Sequence, residues 1–451
     1  MSPEVVVVGA GLSGLAAARA LADAGRETLV IEARERVGGR LLSATLGDGV
    51  TADVGAQWVG DDHERVRRLA ADLGVDLFPH HGAGRNLLDV GGARRRYRGT
   101  IPRLGPRALW DVFIARRRFD SLARMVGAES PWAAKRAAEL DRKTLAEWIE
   151  ENTRTEVARE LLGLAGRTLW GTGPEEISML HALFYVASAG GFDKLIDTEG
   201  GAQQDRLDGG AQRLALGLAD SFGGRLRLGA PVRRIEQRDG GVWVGADGME
   251  IEAERAIVAL PPALAARIEF EPLLSEQRRE LGRRMRPGRV SKCVALYETP
   301  FWREDGLSGE AVTDAGPVTL TFDSSPRDSS VGVLLGFVGG PEADEMAAMS
   351  AAERRAAVLN CFAHLYGPRA ASPLDYAERE WAAEEWSGGG PTSNFSPGGW
   401  TELGPALREP VGRVHWAGTE TATVWSGYME GALQAGERAA AEALASPAPV
   451  G

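Results

Sequence analysis

Val5-Val6-Val7-Val8-Gly9-Ala10-Gly11-Leu12-Ser13-Gly14 stands near the start of the 451-residue chain. Four consecutive β-branched residues predict a short strand buried on both faces, as in a parallel sheet. The segment from Leu15 to Ala24, rich in Ala and Leu, predicts a helix that ends near Gly25. Thr28 to Ile31 predicts a second strand, with Glu32 at its end. Strand, glycine turn, helix, strand and acid together make the context in which Gly-x-Gly-x-x-Gly means dinucleotide binding. Gly9 permits the tight turn, Gly11 lets backbone approach a pyrophosphate, and Gly14 lets the helix pack closely on the strand. The helix N-terminus offers N–H groups and a positive dipole end to phosphates. Glu32 accepts from ribose hydroxyls and repels a 2′-phosphate, which disfavours NADP. The fingerprint alone does not separate NAD from FAD.

Outward from this stretch, the length predicts two domains rather than one core. The hydrophobic and charged fractions, 44% and 25%, are those of a globular protein. A net charge of −11 argues against a nucleic-acid partner. Two cysteines and six scattered histidines give neither a disulfide framework nor a metal-ligand spacing. No apolar run is long enough for a transmembrane helix or anchor, and the N-terminus has no signal-peptide pattern. A reduced cytoplasm is the expected address, and the tail after Ala445 reads as a frayed end.

Residues 63–74 and 107–170 carry helical periodicity. Arg94 to Arg96 and Arg116 to Arg118 read as solvated faces. Leu226 to Glu254 alternates around turns at Asp239-Gly240-Gly241 and Asp247-Gly248, which predicts an antiparallel meander. Ala256 to Leu260 then predicts a strand that rejoins the first sheet. The fold class is therefore α/β. A Rossmann-like dinucleotide-binding domain (1–75, 208–284 and 380–447) is interrupted by a mixed sheet and helical substrate domain (76–207 and 285–379).

Four of the 52 basic residues are lysines. A chain that serves its solvated positions with arginine has another reason for Lys292, which lies in the apolar run Val290-Ser291-Lys292-Cys293-Val294-Ala295-Leu296-Tyr297. Burial as a depressed-pKa amine and an outward, snorkelling stem stand about even. Near the C-terminus, His415 to Ala422 predicts strand, glycine turn and helix start, a second helix end for a cofactor, with Trp425 and Tyr428 close by.

Two resemblances enter here. Glu32-Ala33-Arg34 leading to Gly38-Gly39-Arg40 resembles the extended signature of glutathione-reductase-like flavoproteins, as does Asp53-Val54-Gly55-Ala56-Gln57-Trp58. From Val5 to about Leu444 the chain resembles the flavin-dependent monoamine oxidases, most specifically in Ala417 to Ala432 and in Ser291-Lys292-Cys293 followed by Pro300-Phe301-Trp302-Arg303. The fold this implies is the two-domain flavin amine oxidase fold.

The resemblance implies FAD held by Gly9, Gly11, Leu12, Ser13, Gly14, Glu32, Ala33, Arg34, Gly38, Gly39, Arg40, Ala56, Gln57, Trp58, Val232, Trp381, Gly418, Thr419, Glu420 and Met429. It assigns Lys292 to a water beside flavin N5 and Tyr428 to an aromatic cage. Thr168, Leu169, Ile196, Gln203, Leu320, Phe322, Phe337 and Pro391 fall where the family lines its substrate cavity. Two departures stand out. Gly390 replaces the cysteine that bonds the flavin in the mitochondrial enzymes, so non-covalent FAD is expected. Pro391 replaces the second cage aromatic, as in soluble bacterial enzymes of the cyclohexylamine oxidase type. The expected activity is oxidative deamination of a hydrophobic alicyclic or arylalkyl primary amine, with O2 reduced to H2O2. The alternatives are a polyamine or L-amino acid oxidase, a carotenoid-type desaturase, a protoporphyrinogen oxidase-like enzyme, an amine dehydrogenase and a non-catalytic flavin scaffold. A homodimer is the expected assembly.

Overall fold

The computed structural model describes residues 3–99 and 104–445. The frayed end expected after Ala445 lies outside them. A five-stranded parallel sheet runs in the order Leu226–Arg227, Thr28–Ile31, Val5–Val8, Arg255–Val258, Val414–Trp416. The four valines occupy its centre, and the pleat sends them to two different cores. Val5 and Val7 pack with helices Leu12–Asp23 and Met429–Ala445. Val6 and Val8 pack with the antiparallel meander Val232–Arg238, Gly241–Ala246, Met249–Ala253. That explains a valine at all four positions instead of alternation with polar residues.

Close approach is obtained with glycine. A Cβ on Gly14 would lie 1.9 Å from the Gly9 carbonyl oxygen, and one on Gly436 would lie 2.2 Å from that of Ser13. The first and last helices therefore pack backbone to backbone. Leu226–Arg227, expected in the meander, instead forms the parallel edge beside Thr28–Ile31. Its segment ends in a short turn before Val232, so it pairs where the first sheet has a free edge.

The second large sheet has seven strands, in the order Asp375–Glu380, Val290–Tyr297, Gly332–Gly339, Leu320–Asp323, Leu307–Thr313, Arg85–Val90, Ala93–Tyr97. All eight residues of Val290–Tyr297 are buried. Cys293, Ala295 and Tyr297 face a core closed by helix Ala351–Tyr366. Val294 and Leu296, in register with Lys292, face Phe322, Leu335 and Trp58. A helical block including Pro106–Val126, Glu156–Trp170 and Met179–Ser188 forms a third core. Two small sheets cross the expected domain boundaries: Trp58–Val59 pairs with Asp205–Leu207, and Met285–Pro287 pairs with Ser393–Phe395. Arg94 to Arg96 are exposed on an edge strand, and Arg117 and Arg118 on a helix. Arg116 is half-buried and ion-paired with Asp193.

Candidate active site

A single long cavity starts at the C-terminal ends of the parallel strands, where open α/β sheets bind ligands. It runs to the seven-stranded sheet. Gly9, Gly11, Leu12, Ser13, Glu32, Arg34, Gly38, Gly39 and Arg40 line its nucleotide end. Gly9 holds φ +102°, and a Cβ there would lie 3.0 Å from the Ala259 oxygen. A Cβ on Gly39 would lie 3.2 Å from the Gly11 Cα. Side chains at these glycines would push apart the backbone of the turns, whose close approach forms a cradle of N–H groups that fits a pyrophosphate.

The charges around this end are mutually satisfied. Glu32 accepts from the Ala10 N–H at 2.8 Å and the Arg34 N–H at 3.0 Å. The Arg34 guanidinium meets Glu32 at 3.2 Å and Glu384 at 3.1 Å, and donates to Ser387 Oγ at 2.8 Å. Arg40 forks onto Glu420 at 2.7 and 3.0 Å and donates to the Pro391 carbonyl at 2.8 Å. Ser13 Oγ accepts from the Gly418 N–H at 2.9 Å, which ties the first glycine turn to the last.

Ala56, Gln57, Trp58, Trp381, Pro391, Gly418, Thr419, Tyr428 and Met429 continue the wall. The Trp381 indole donates to the Val54 carbonyl at 2.9 Å. Thr419 Oγ1 donates to the Tyr428 carbonyl at 3.0 Å and accepts from the Gly427 N–H at 2.8 Å, fixing the loop that carries Tyr428.

Lys292 is buried, which decides between its two sequence readings. Its Nζ donates to the Gly55 carbonyl at 2.8 Å and Gln57 Oε1 at 2.9 Å, and lies 5.4 Å from the Trp58 ring. Gln57 in turn donates to Ser324 Oγ at 3.0 Å, which orients its amide. Burial pushes the Lys292 pKa down to about 7; Asp53 opposes the shift and Arg206 adds to it. The amine end is walled by Thr168, Leu169, Gln203, Leu320, Phe322 and Phe337. The buried Oε1 of Gln203 has no protein partner, while its Nε2 donates to the Leu195 carbonyl at 3.1 Å. Glu32 is the one carboxylate on the wall among the described residues, and it belongs to the nucleotide end.

Five expected site residues do not reach the wall. Ile196, the last residue of the short helix Phe192–Ile196, packs on the helical core. Gly14 is enclosed against Gly9, Ala33 is absent from the lining, and Val232 packs on the meander core. Glu420 is buried behind Arg40 and acts through it. Trp425 stands behind Tyr428, with ring centroids 4.9 Å apart.

Tyr185, Ala202, Leu260, Pro261, Val290, Trp386 and Ser387 line the cavity without having been singled out from the sequence. Leu260 and Pro261 follow the end of a parallel strand, and the strand-end rule could have found them. Tyr185 lies inside the apolar helix Met179–Ser188, where nothing local separates it from core; its ring centroid is 5.9 Å from that of Tyr428.

A dinucleotide cradle joined to an apolar pocket with a buried lysine at the junction defines a flavin-dependent oxidoreductase. The chain belongs to the flavin-containing amine oxidoreductases, whose family model matches residues 12–444. It is 47% identical over 442 residues to a protein named as a flavin-containing monoamine oxidase, AofH, of Mycobacterium tuberculosis, covering 98% of this chain and 96% of the relative. Among solved structures, it resembles a putrescine oxidase bound to putrescine (TM-score 0.95, 35% identity, 99% of each chain). It also resembles the cyclohexylamine oxidase of Brevibacterium oxydans IH-35A (TM-score 0.93, 36% identity, 98% of this chain and 99% of that one). The protein is thus a flavoenzyme with an amine substrate and oxygen as co-substrate. Among the described residues, no helix is long and apolar enough to cross a membrane.

Proposed function

We propose that the enzyme oxidises a hydrophobic primary amine, alicyclic or arylalkyl, using non-covalent FAD, and releases hydrogen peroxide. The imine product hydrolyses to an aldehyde or ketone and ammonia. The observation that carries the substrate class is the amine-end wall: aliphatic and aromatic side chains, an amide and a hydroxyl, with no carboxylate among the described residues. A diamine's distal ammonium would be desolvated there without a counter-charge. The wall arginines, Arg34 and Arg40, are held by Glu32, Glu384 and Glu420, which disfavours an α-amino acid's carboxylate.

Bound FAD supplies the electron acceptor for the amine's α-carbon hydrogen and the route to dioxygen. The protein's part is placement and electrostatics. The cradle and its ion pairs hold the nucleotide. Tyr428 and Tyr185 flank the approach with ring faces, which attract an ammonium weakly and strip its water. The free Gln203 Oε1 accepts from the substrate N–H. Lys292, held by Gly55 and Gln57, offers a proton donor whose charge changes near neutrality. Non-covalent attachment is supported by the thiols' positions: Cys293 and Cys361 are buried off the cavity, and burial pushes their pKa values to about 12 and about 11. We also retain the homodimer, the cytoplasmic address and the two-domain division as proposals.

The putrescine oxidase likeness favours a second reading, diamine oxidation. A kcat/KM panel decides between them. Cyclohexylamine, benzylamine and 2-phenylethylamine are expected to exceed putrescine by about 10²-fold or more, the scale set by an unpaired buried charge. Putrescine at or above the monoamines would reverse the assignment. Peroxide released in step with amine consumption checks the electron acceptor.

A further inference from the structure

A second cavity, of about 550 Å³, shares no lining residue with the flavin cavity. Its volume is that of a small-molecule site. Pro262, Ala265, Ile268, Phe270, Leu274 and Leu281 give it an apolar wall, and Leu273, 72% exposed, stands at its mouth. Helix Glu276–Arg284, N-capped by Ser275, brings Arg278 to this wall.

Arg278 is 7% exposed. Its guanidinium carbon lies 3.4 Å from the centroid of the Trp416 ring. Nη1 donates to the carbonyls of Ala406 at 2.8 Å and Leu407 at 2.9 Å. Among the described residues Arg278 has no ion-pair partner, and no protein acceptor meets its Nε and Nη2 hydrogens. Burial pushes its pKa down to about 9. The surrounding charges do not serve it. Arg283 pairs with Glu280 at 2.8 Å, Arg279 donates to the Leu274 carbonyl at 3.2 Å, and Glu269 is exposed on the wall.

Tying two carbonyls together needs N–H donors, not a permanent charge, and a buried cation without a counter-ion is costly. The indole face offsets only part of that cost. What remains free is the Nε–Nη2 edge, two parallel N–H groups whose spacing matches a planar carboxylate. We propose that this cavity binds a small monocarboxylate with an apolar ring or chain, its carboxylate forked onto Arg278 and its body against the Ile268, Phe270 and Leu274 wall.

Calorimetric titration of the flavin-loaded enzyme with 2-naphthoate tests this, with 2-naphthalenemethanol as the neutral isostere. Expected is one site per chain, not displaced by saturating benzylamine, with the alcohol about tenfold weaker or more, the scale of a charge-assisted pair. Arg278→Gln is expected to weaken naphthoate to the level of the alcohol. Should Arg278→Gln fail to fold, Leu273→Glu keeps the test decisive: this exposed position takes a like charge to the mouth and weakens naphthoate by about threefold while leaving the alcohol unchanged. Absence of binding at millimolar naphthoate, equal affinity for the alcohol, displacement by benzylamine, or indifference to Leu273→Glu would each overturn the proposal.

Discussion

At the nucleotide end of the main cavity, the wall comes mostly from two short stretches, 9–13 and 32–41, and its charged residues Glu32, Arg34 and Arg40 are all ion-paired. At the amine end, the wall comes from residues as distant as Trp58, Thr168, Gln203, Phe337 and Tyr428, and Lys292 there is bonded to a carbonyl and an amide rather than a carboxylate. Backbone recognition of phosphate needs glycines at fixed spacing and little else, so it is written locally. Discrimination among amines needs shape and an uncompensated polarity in a desolvated place, so it is assembled across the whole chain. At the first end, a Cβ added at Gly9, Gly14, Gly38 or Gly39 would meet backbone within 3.2 Å.

The sharpest way to break the nucleotide end is Gly14→Ala. With the new Cβ 1.9 Å from the Gly9 oxygen, the turn must open. The purified protein is expected to be colourless, lacking flavin absorbance, while the conservative control Ala16→Gly stays yellow. At the other end, Lys292→Met is expected to slow flavin reoxidation by about 10²-fold, the usual cost of removing one positioned donor, while flavin content stays high. Stopped-flow oxidation at the wild-type rate would end this role for Lys292.

Arg40→Lys separates the two ends. It loses the fork onto Glu420 and is expected to weaken FAD by about tenfold, with turnover of the loaded enzyme unchanged. Lys292 also carries a pH signature. Its folded pKa of about 7 lies below the ordinary lysine value of 10.5. Between those limits the unfolded chain binds the extra proton, so stability rises with pH, and the cost is fully present below about 7. Flavin-stripped wild type is expected to gain more in Tm from pH 7 to 9.5 than Lys292→Met does. The smallest effect belongs to Tyr185→Phe. It removes the hydroxyl beside Tyr428 and keeps the ring, whose centroid lies 5.9 Å from that of Tyr428. A change of a few-fold in KM for benzylamine is expected, with kcat held, the scale of one neutral hydrogen bond.

The same division explains what could be read from the sequence. Val5 to Val8, the glycine turn, Glu32 and the rejoining strand at Ala256 are local signals, and the sheet forms as they require. The resemblance pointed to most of the cavity wall, including Lys292, Tyr428, Phe322 and Phe337. Periodicity could not decide whether Lys292 is buried, because that depends on Gly55 and Gln57, more than 200 residues earlier in the chain. Ile196 packs on the helical core instead of the cavity wall, a choice that its position in a motif does not encode. Tyr185 and Arg278 were invisible for the same reason: each lies in an unremarkable helix and gains its meaning from a partner contributed by the last fifty residues.

The packing of helix Leu12–Asp23 on helix Met429–Ala445, together with the strand Val414–Trp416 that completes the parallel sheet, has a consequence for biosynthesis. The residues of the phosphate cradle leave the ribosome before Val414–Trp416 and Met429–Ala445, so until those segments are made the sheet lacks an edge strand and the first helix lacks its cover. Coenzyme capture is therefore expected to wait for residues 414–445. Until then, the glycine-rich start must be sheltered by partial structure or by chaperones.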